Sequence, residues 1–140
     1  MAGSYPYAEV YIMQCDDLTL KARIRAMKER QPEMNVIEND MDGNQYNVDH
    51  EDEWFEYFFI RTQQGGLFHV CVHKRPNNPA HLLLVDYGET SKIYDLKCVN
   101  SDEMSKKESK AAKRLFEKEI LSQLGLKWKY EDIWQIIFGK

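Results

Sequence analysis

Residues 38–49, ENDMDGNQYNVD, place acidic side chains at the first, third, fifth and twelfth positions of a loop (Glu38, Asp40, Asp42, Asp49) and glycine, Gly43, at the sixth. That is the oxygen-donor rhythm of a calcium-binding loop. The motif begins on the short aspartate and ends on a longer glutamate that gives two oxygens. This chain has the two lengths reversed, and Pro32 leaves no room for an entering helix. A hairpin accounts for the same letters, because Asp42-Gly43 or Gly43-Asn44 supplies the positive-φ residues of a tight turn. No metal is assigned to this loop.

A second chemical pattern lies at His69, Cys71 and His73, which alternate and so share one face of a strand. Same-face neighbours stand about 6.7 Å apart and the two histidines about 13 Å apart, too far for both to bind one zinc ion. A metal- or thiol-dependent hydrolase would use Cys71 with His69 or His73 and His81. The chain has no phosphate-binding loop, dinucleotide glycine fingerprint, nucleophile elbow or HExxH helix. Catalytic residues and cofactors are therefore left unassigned, and a half-buried strand face with a plain thiol is the favoured reading.

The third pattern is charge. Residues 31–60 contain no lysine or arginine, yet hold Glu33, Glu38, Asp40, Asp42, Asp49, Glu51, Asp52, Glu53 and Glu56. The chain as a whole carries −4, so the remainder is net positive. A segregated acidic lobe attracts cationic partners and repels phosphate. It points to a non-catalytic module that binds a basic protein or peptide, with Asp40, Asp42, Asp49, Glu51, Asp52 and Glu53 as contact residues. The alternative is an inhibitor or immunity-type protein that blocks a basic active site with the same surface. The opposite pole, Lys106, Lys107, Lys110, Lys113, Arg114 and Lys118, is interspersed with Glu103, Glu108, Glu117 and Glu119. It reads as a solvated helix face, and nucleic acid is disfavoured as a partner.

The elements that must position these residues follow from periodicity. YAEVYIMQ (7–14) predicts a strand, and Leu20, Ile24 and Met27 predict a helix over 17–31, capped by Asp16 or Asp17. Strands separated by turns follow: NVIEN, QYNVD, EWFEYFFIRT, LFHVCVHK, AHLLLVDY and KIYDLKCV, with QQGG at 63–66 as a hairpin turn. Trp54, Phe58 and Ile60 on one face and Phe55, Tyr57 and Phe59 on the other predict a strand covered on both sides. A long helix is expected over 102–124, with a Ser105/Glu108 capping box and Gly125 as its stop. A shorter helix is expected from the spacing of Tyr130, Ile133, Trp134, Ile137 and Phe138.

Residues 67–96, LFHVCVHKRPNNPAHLLLVDYGETSKIYDL, resemble the central strands of a Tudor domain: an aromatic-led strand, a loop, an apolar strand ending in Asp-Tyr-Gly, and a final strand. The resemblance implies an aromatic cage for methylated arginine or lysine, with Phe68 and Tyr87 at the matching positions. Where the methylarginine-binding members carry Asn after Asp-Tyr-Gly, this chain has Glu89, which also favours a cation. Taken together, residues 1–140 are expected to form a single α+β domain. It should be an antiparallel sheet of five to six strands, packed by a long C-terminal helix and one N-terminal helix. No segment approaches the roughly 20 apolar residues of a membrane span. Three cysteines without a CxxC pair and the absence of a signal pattern predict an intracellular protein, cytoplasmic or nuclear.

Overall fold

A computed structural model of the protein describes residues 5–74 and 78–131. Strand β1 (Glu9–Met13) leads into helix α1 (Asp17–Arg30), whose first turn is closed by the Asp16 carboxylate accepting from the Thr19 N–H at 2.8 Å. After a 3-10 turn at Pro32–Met34 come β2 (Ile37–Asn39), β3 (Gln45–Asn47), β4 (His50–Glu51), β5 (Phe55–Arg61), β6 (Leu67–His73) and β7 (Ala80–Gly88). A 3-10 turn at Ile93–Asp95, the short β8 (Lys97–Cys98), helix α2 (Lys106–Glu119) and β9 (Trp128–Tyr130) complete the order.

Strands β4 to β7 form an antiparallel meander. β1 returns to pair with the far edge of β7, β9 adds to β1, and β8 pairs with the end of β7. β2 and β3 form a separate two-stranded hairpin. The α+β class, the antiparallel sheet and the two helices are those the periodicities call for. The main sheet has seven strands, because the short β4 and β9, which the periodicities do not mark, add at its two ends.

Both helices cover one face of the sheet. Leu20, Ile24 and Met27 of α1 and Ala112 and Phe116 of α2 meet Tyr11, Met13, Phe58, Ile60, Phe68, Val70, Val72, Leu82 and Leu84 in the main core. The other face is buried too, in two smaller clusters. One joins Phe55, Tyr57, Cys71 and Val85. The other joins Val36, Val48, Phe59 and Leu67, with Ile93 and Leu96 packed against it. The alternation expected in β5 is therefore real, except that Trp54 at its start is exposed.

Two expectations about elements are corrected. KIYDLKCV forms a 3-10 turn and only two strand residues, because its side chains pack sideways against the second-face cluster instead of pairing along β7. The long helix starts at its Ser105/Glu108 capping box rather than at Asp102, and ends at Glu119 before a separate 3-10 turn, Leu121–Gln123. Trp128–Tyr130 are strand, paired antiparallel with β1. The rest of the helix expected near the C-terminus lies outside the described residues. No helix among the described residues is long and apolar enough to cross a membrane.

Candidate functional site

The calcium-like loop is a hairpin turn. Gly43 takes φ +82°, and the Asp40 carboxylate accepts from the Asp42 and Asn44 N–H groups at 2.9 and 2.8 Å. Asp40 Oδ1 thus closes the turn, as short acidic side chains do, while no cation among the described residues pairs with its charge. No group of three or more His, Cys, Asp or Glu side chains that could hold a metal ion occurs among the described residues.

The acidic stretch does not act as one surface, because part of it is neutralised from within. Lys28 of α1 is buried and donates to Asp49 Oδ2 at 2.5 Å and to the Phe59 carbonyl at 2.8 Å, while Asp49 Oδ1 accepts from the Phe59 N–H at 2.8 Å. Burial pulls the Lys28 ammonium below the ordinary lysine pKa, with Asp49 acting in the opposite direction. Glu56 pairs with Arg25 and Lys21, and Lys21 also reaches Asp17 at 3.4 Å. Glu51 lies 3.5 Å from Lys74. Asp52 accepts from the Trp54 and Phe55 N–H groups, both at 2.8 Å, and from the Tyr57 hydroxyl at 2.5 Å. These bonds, led by the tyrosine's, hold its carboxyl below the usual range. Asp49 is therefore tied to a buried cation from within, whereas Glu51 and Asp52 carry their internal bonds at exposed positions.

Carboxylates without an ion pair among the described residues remain elsewhere. Asp40, Asp42 and the half-buried Glu38 line the β2–β3 hairpin. Glu53 sits in the turn before β5, at the end of that strand far from Leu67. The hairpin also exposes Ile37, Tyr46 and, at its tip, Met41. Its base is fixed by Val36 and Val48, which pack in the same cluster as Ile93 and Leu96. The base of the hairpin and the 3-10 turn that carries Asp95 thus share one apolar cluster.

That turn forms one wall of a groove of about 530 Å³ between the end of β7 and the first half of α2. Tyr87, Met104, Ala112 and Leu115 make its apolar floor, and Glu89, Asp95, Glu108 and Lys97 stand around it. Two of the sequence-derived site residues, Tyr87 and Glu89, meet here. Phe68 does not join them: with 0 % of its surface exposed it is part of the main core. The Tyr87 ring packs on it with centroids 4.7 Å apart and planes tilted by 37°, so the two rings touch each other instead of forming the two walls of a cage. Burial, reinforced by Glu89 and Glu119, raises the Tyr87 hydroxyl, which stays neutral. Asp95 was hidden from sequence reading inside a segment that looks like a strand. The turn-rich GETSK before it was the available signal.

His69, Cys71 and His73 do share one face of β6, opposite to Phe68, Val70 and Val72. The His69 Nδ1 lies 2.8 Å from Asp86 Oδ2, and its ring stacks on Phe59 with centroids 4.5 Å apart. Its Nε2 is buried with no hydrogen-bond partner among the described residues. Cys71 is fully buried, and desolvation, with smaller contributions from Asp52 and Asp86, pushes its thiol far above the normal value. A thiol so held is not a nucleophile at neutral pH. His81 lies opposite Ile12, at the other end of β7 from Asp86.

No known protein family matches the chain, and no curated protein or solved structure is significantly similar to it.

Proposed function

We propose that the protein is a non-catalytic module that binds a basic protein or peptide. The observation that carries this reading is the set of carboxylates left unopposed after internal pairing. Asp40, Asp42 and Glu38 on the hairpin, and Glu89 and Asp95 around the groove, have no ion pair among the described residues, and Lys97 is the one cation that lines the groove with the latter two. Such a surface speeds encounter with a positively charged partner and makes binding sensitive to salt. The hairpin tip adds the apolar Met41, Ile37 and Tyr46, which supply contact area once charge has brought the partner close. The same shape also fits an inhibitor, since a narrow acidic hairpin can enter a cation-lined cleft.

Binding of a labelled arginine- and lysine-rich peptide, followed by fluorescence anisotropy at two salt concentrations, tests the proposal. Asp40→Asn, which keeps the turn's acceptor oxygen, with Asp42→Lys should weaken saturable, one-to-one binding about tenfold and flatten its salt dependence. Glu53→Lys, at the other end of β5, should leave it unchanged. Equal affinity in all three proteins would overturn the proposal. For the inhibitor form, a purified enzyme partner that stays fully active when saturated with this protein would exclude it.

A further inference from the structure

We infer that the groove between β7 and α2 receives a single long cationic side chain, lysine or arginine, from the partner polypeptide; this rests on the basic-partner reading above. Its volume, about 530 Å³, falls within the range of about 300–1,000 Å³ usual for specific ligand pockets. Its floor and its rim have different chemistry. Tyr87, Met104, Ala112 and Leu115 offer an apolar bed, which suits an aliphatic stem. Glu89, Asp95 and Glu108 surround it, with Lys97 offsetting one of the three, so the rim is net negative. Glu108 is held in its charged form by the Ser105 N–H and side chain that complete the helix cap.

An anionic side chain would meet these carboxylates, and a short polar one would leave the apolar bed uncovered. A long side chain with a cationic end satisfies both, and the neutral Tyr87 ring adds the attraction of an aromatic face for a cation. The lysines of α2 do not cancel this field from within the groove: Lys106 and Lys110 line a second hollow, on the Asn100–Ser101 side of Met104. The floor is also held in place, because Tyr87 is backed by Phe68 and its ring end lies over Gly66, where even a Cβ would come within 2.7 Å of the hydroxyl.

Capped tripeptides Gly-X-Gly, with X as arginine, lysine, citrulline or norleucine, titrated into the isotopically labelled full chain give the test. Arginine or lysine should shift the amide signals of Tyr87, Glu89 and Leu115 saturably. The neutral citrulline and norleucine peptides should bind at least tenfold more weakly. Glu89→Gln with Asp95→Asn, both at exposed positions, should weaken the cationic peptides at least fivefold without changing the spectrum's dispersion. Ala111→Trp on the exposed edge of α2 should block the groove. If the cationic peptides move only hairpin signals such as Asp42 and Tyr46, the groove assignment is wrong and the basic-partner reading survives. If they move neither region, both fall. Equal binding of citrulline or norleucine would overturn the requirement for charge.

Discussion

Asp49→Asn is the most informative single change, because the sequence offers Asp49 as a partner contact and the fold uses it internally. The Lys28 side chain is 5 % exposed and that of Asp49 22 %, so the ammonium has lost nearly all its water and depends on two acceptors, Asp49 and the Phe59 carbonyl. Asparagine keeps an oxygen for the Phe59 N–H but turns an amide donor, or at best a neutral oxygen, toward Lys28. Removing one member of a buried ion pair ordinarily destabilises by about 3–5 kcal/mol, and the partial exposure of Asp49 argues for about 3. With a urea m-value near 2 kcal/mol/M for a chain of this size, the midpoint should fall by about 1.5 M. Lys28→Met alone should also destabilise, by leaving the Asp49 charge without its cation. In the Asp49→Asn background the sign should reverse, because methionine then removes an unpaired buried charge. Urea unfolding of the four proteins at neutral pH measures the whole cycle. A midpoint shift below about 0.5 M for Asp49→Asn, or a Lys28→Met effect of the same sign in both backgrounds, would refute the assignment of this pair.

Three further outcomes follow from the same geometry. Gly66→Ala should destabilise by about 1–3 kcal/mol by forcing Tyr87 off its seat, and Tyr87→Phe should recover part of that loss in the double variant; equal stability of Gly66→Ala and wild type would contradict the contact. Asp52 has a folded-state pKa below its ordinary 3.8, so its stabilisation is complete above about that pH and is lost as pH falls through the depressed value. Thermal midpoints measured between about pH 5 and 2 should therefore drop less steeply for Asp52→Asn than for wild type, and parallel curves would count against the Asp52 bonds. Native-state alkylation near pH 7.5 should spare Cys71, which is fully buried, and label Cys98 slowly, because burial and Asp86 push its thiol up to about 11. Peptide mapping that finds Cys71 modified before denaturant is added would overturn that picture.

The parts of the fold that sequence reading reached were those governed by local rules. Asp16 as a helix cap, Ser105 and Glu108 as a capping box, and Gly43 and Gly65 at positive φ are each decided by a few neighbouring residues. The two-sided burial of β5 followed from a run with little polar alternation, whereas β6, expected half-buried, is covered on both faces as well. What stayed hidden depends on residues far apart in the chain. Asp95 lines the groove in a turn whose Ile93 and Leu96 pack against a cluster that includes Phe59 and Leu67, from strands distant in the chain. Phe68 looked available as a cage wall because its exposure is set by α2, which lies about 40 residues further on and places Phe116 5.2 Å from its ring centroid.

The charge map shows the same division more sharply. Contiguity along the chain measures how many carboxylates gather in a segment, whereas capacity to bind a cation depends on how many the protein's own cations have left free. Lys21, Arg25 and Lys28 stand at i, i+4 and i+7, so they form one stripe of α1. That stripe packs toward β5 and takes up Glu56 and Asp49. An acidic segment beside a helix with a cationic stripe at that spacing is therefore as much a sign of internal pairing as of a binding surface. The hairpin, a separate two-stranded sheet, carries none of the carboxylates that the stripe pairs with. Its Asp40 and Asp42, together with Glu89 and Asp95 around the groove, are consequently the carboxylates on which the proposed recognition of a basic partner rests.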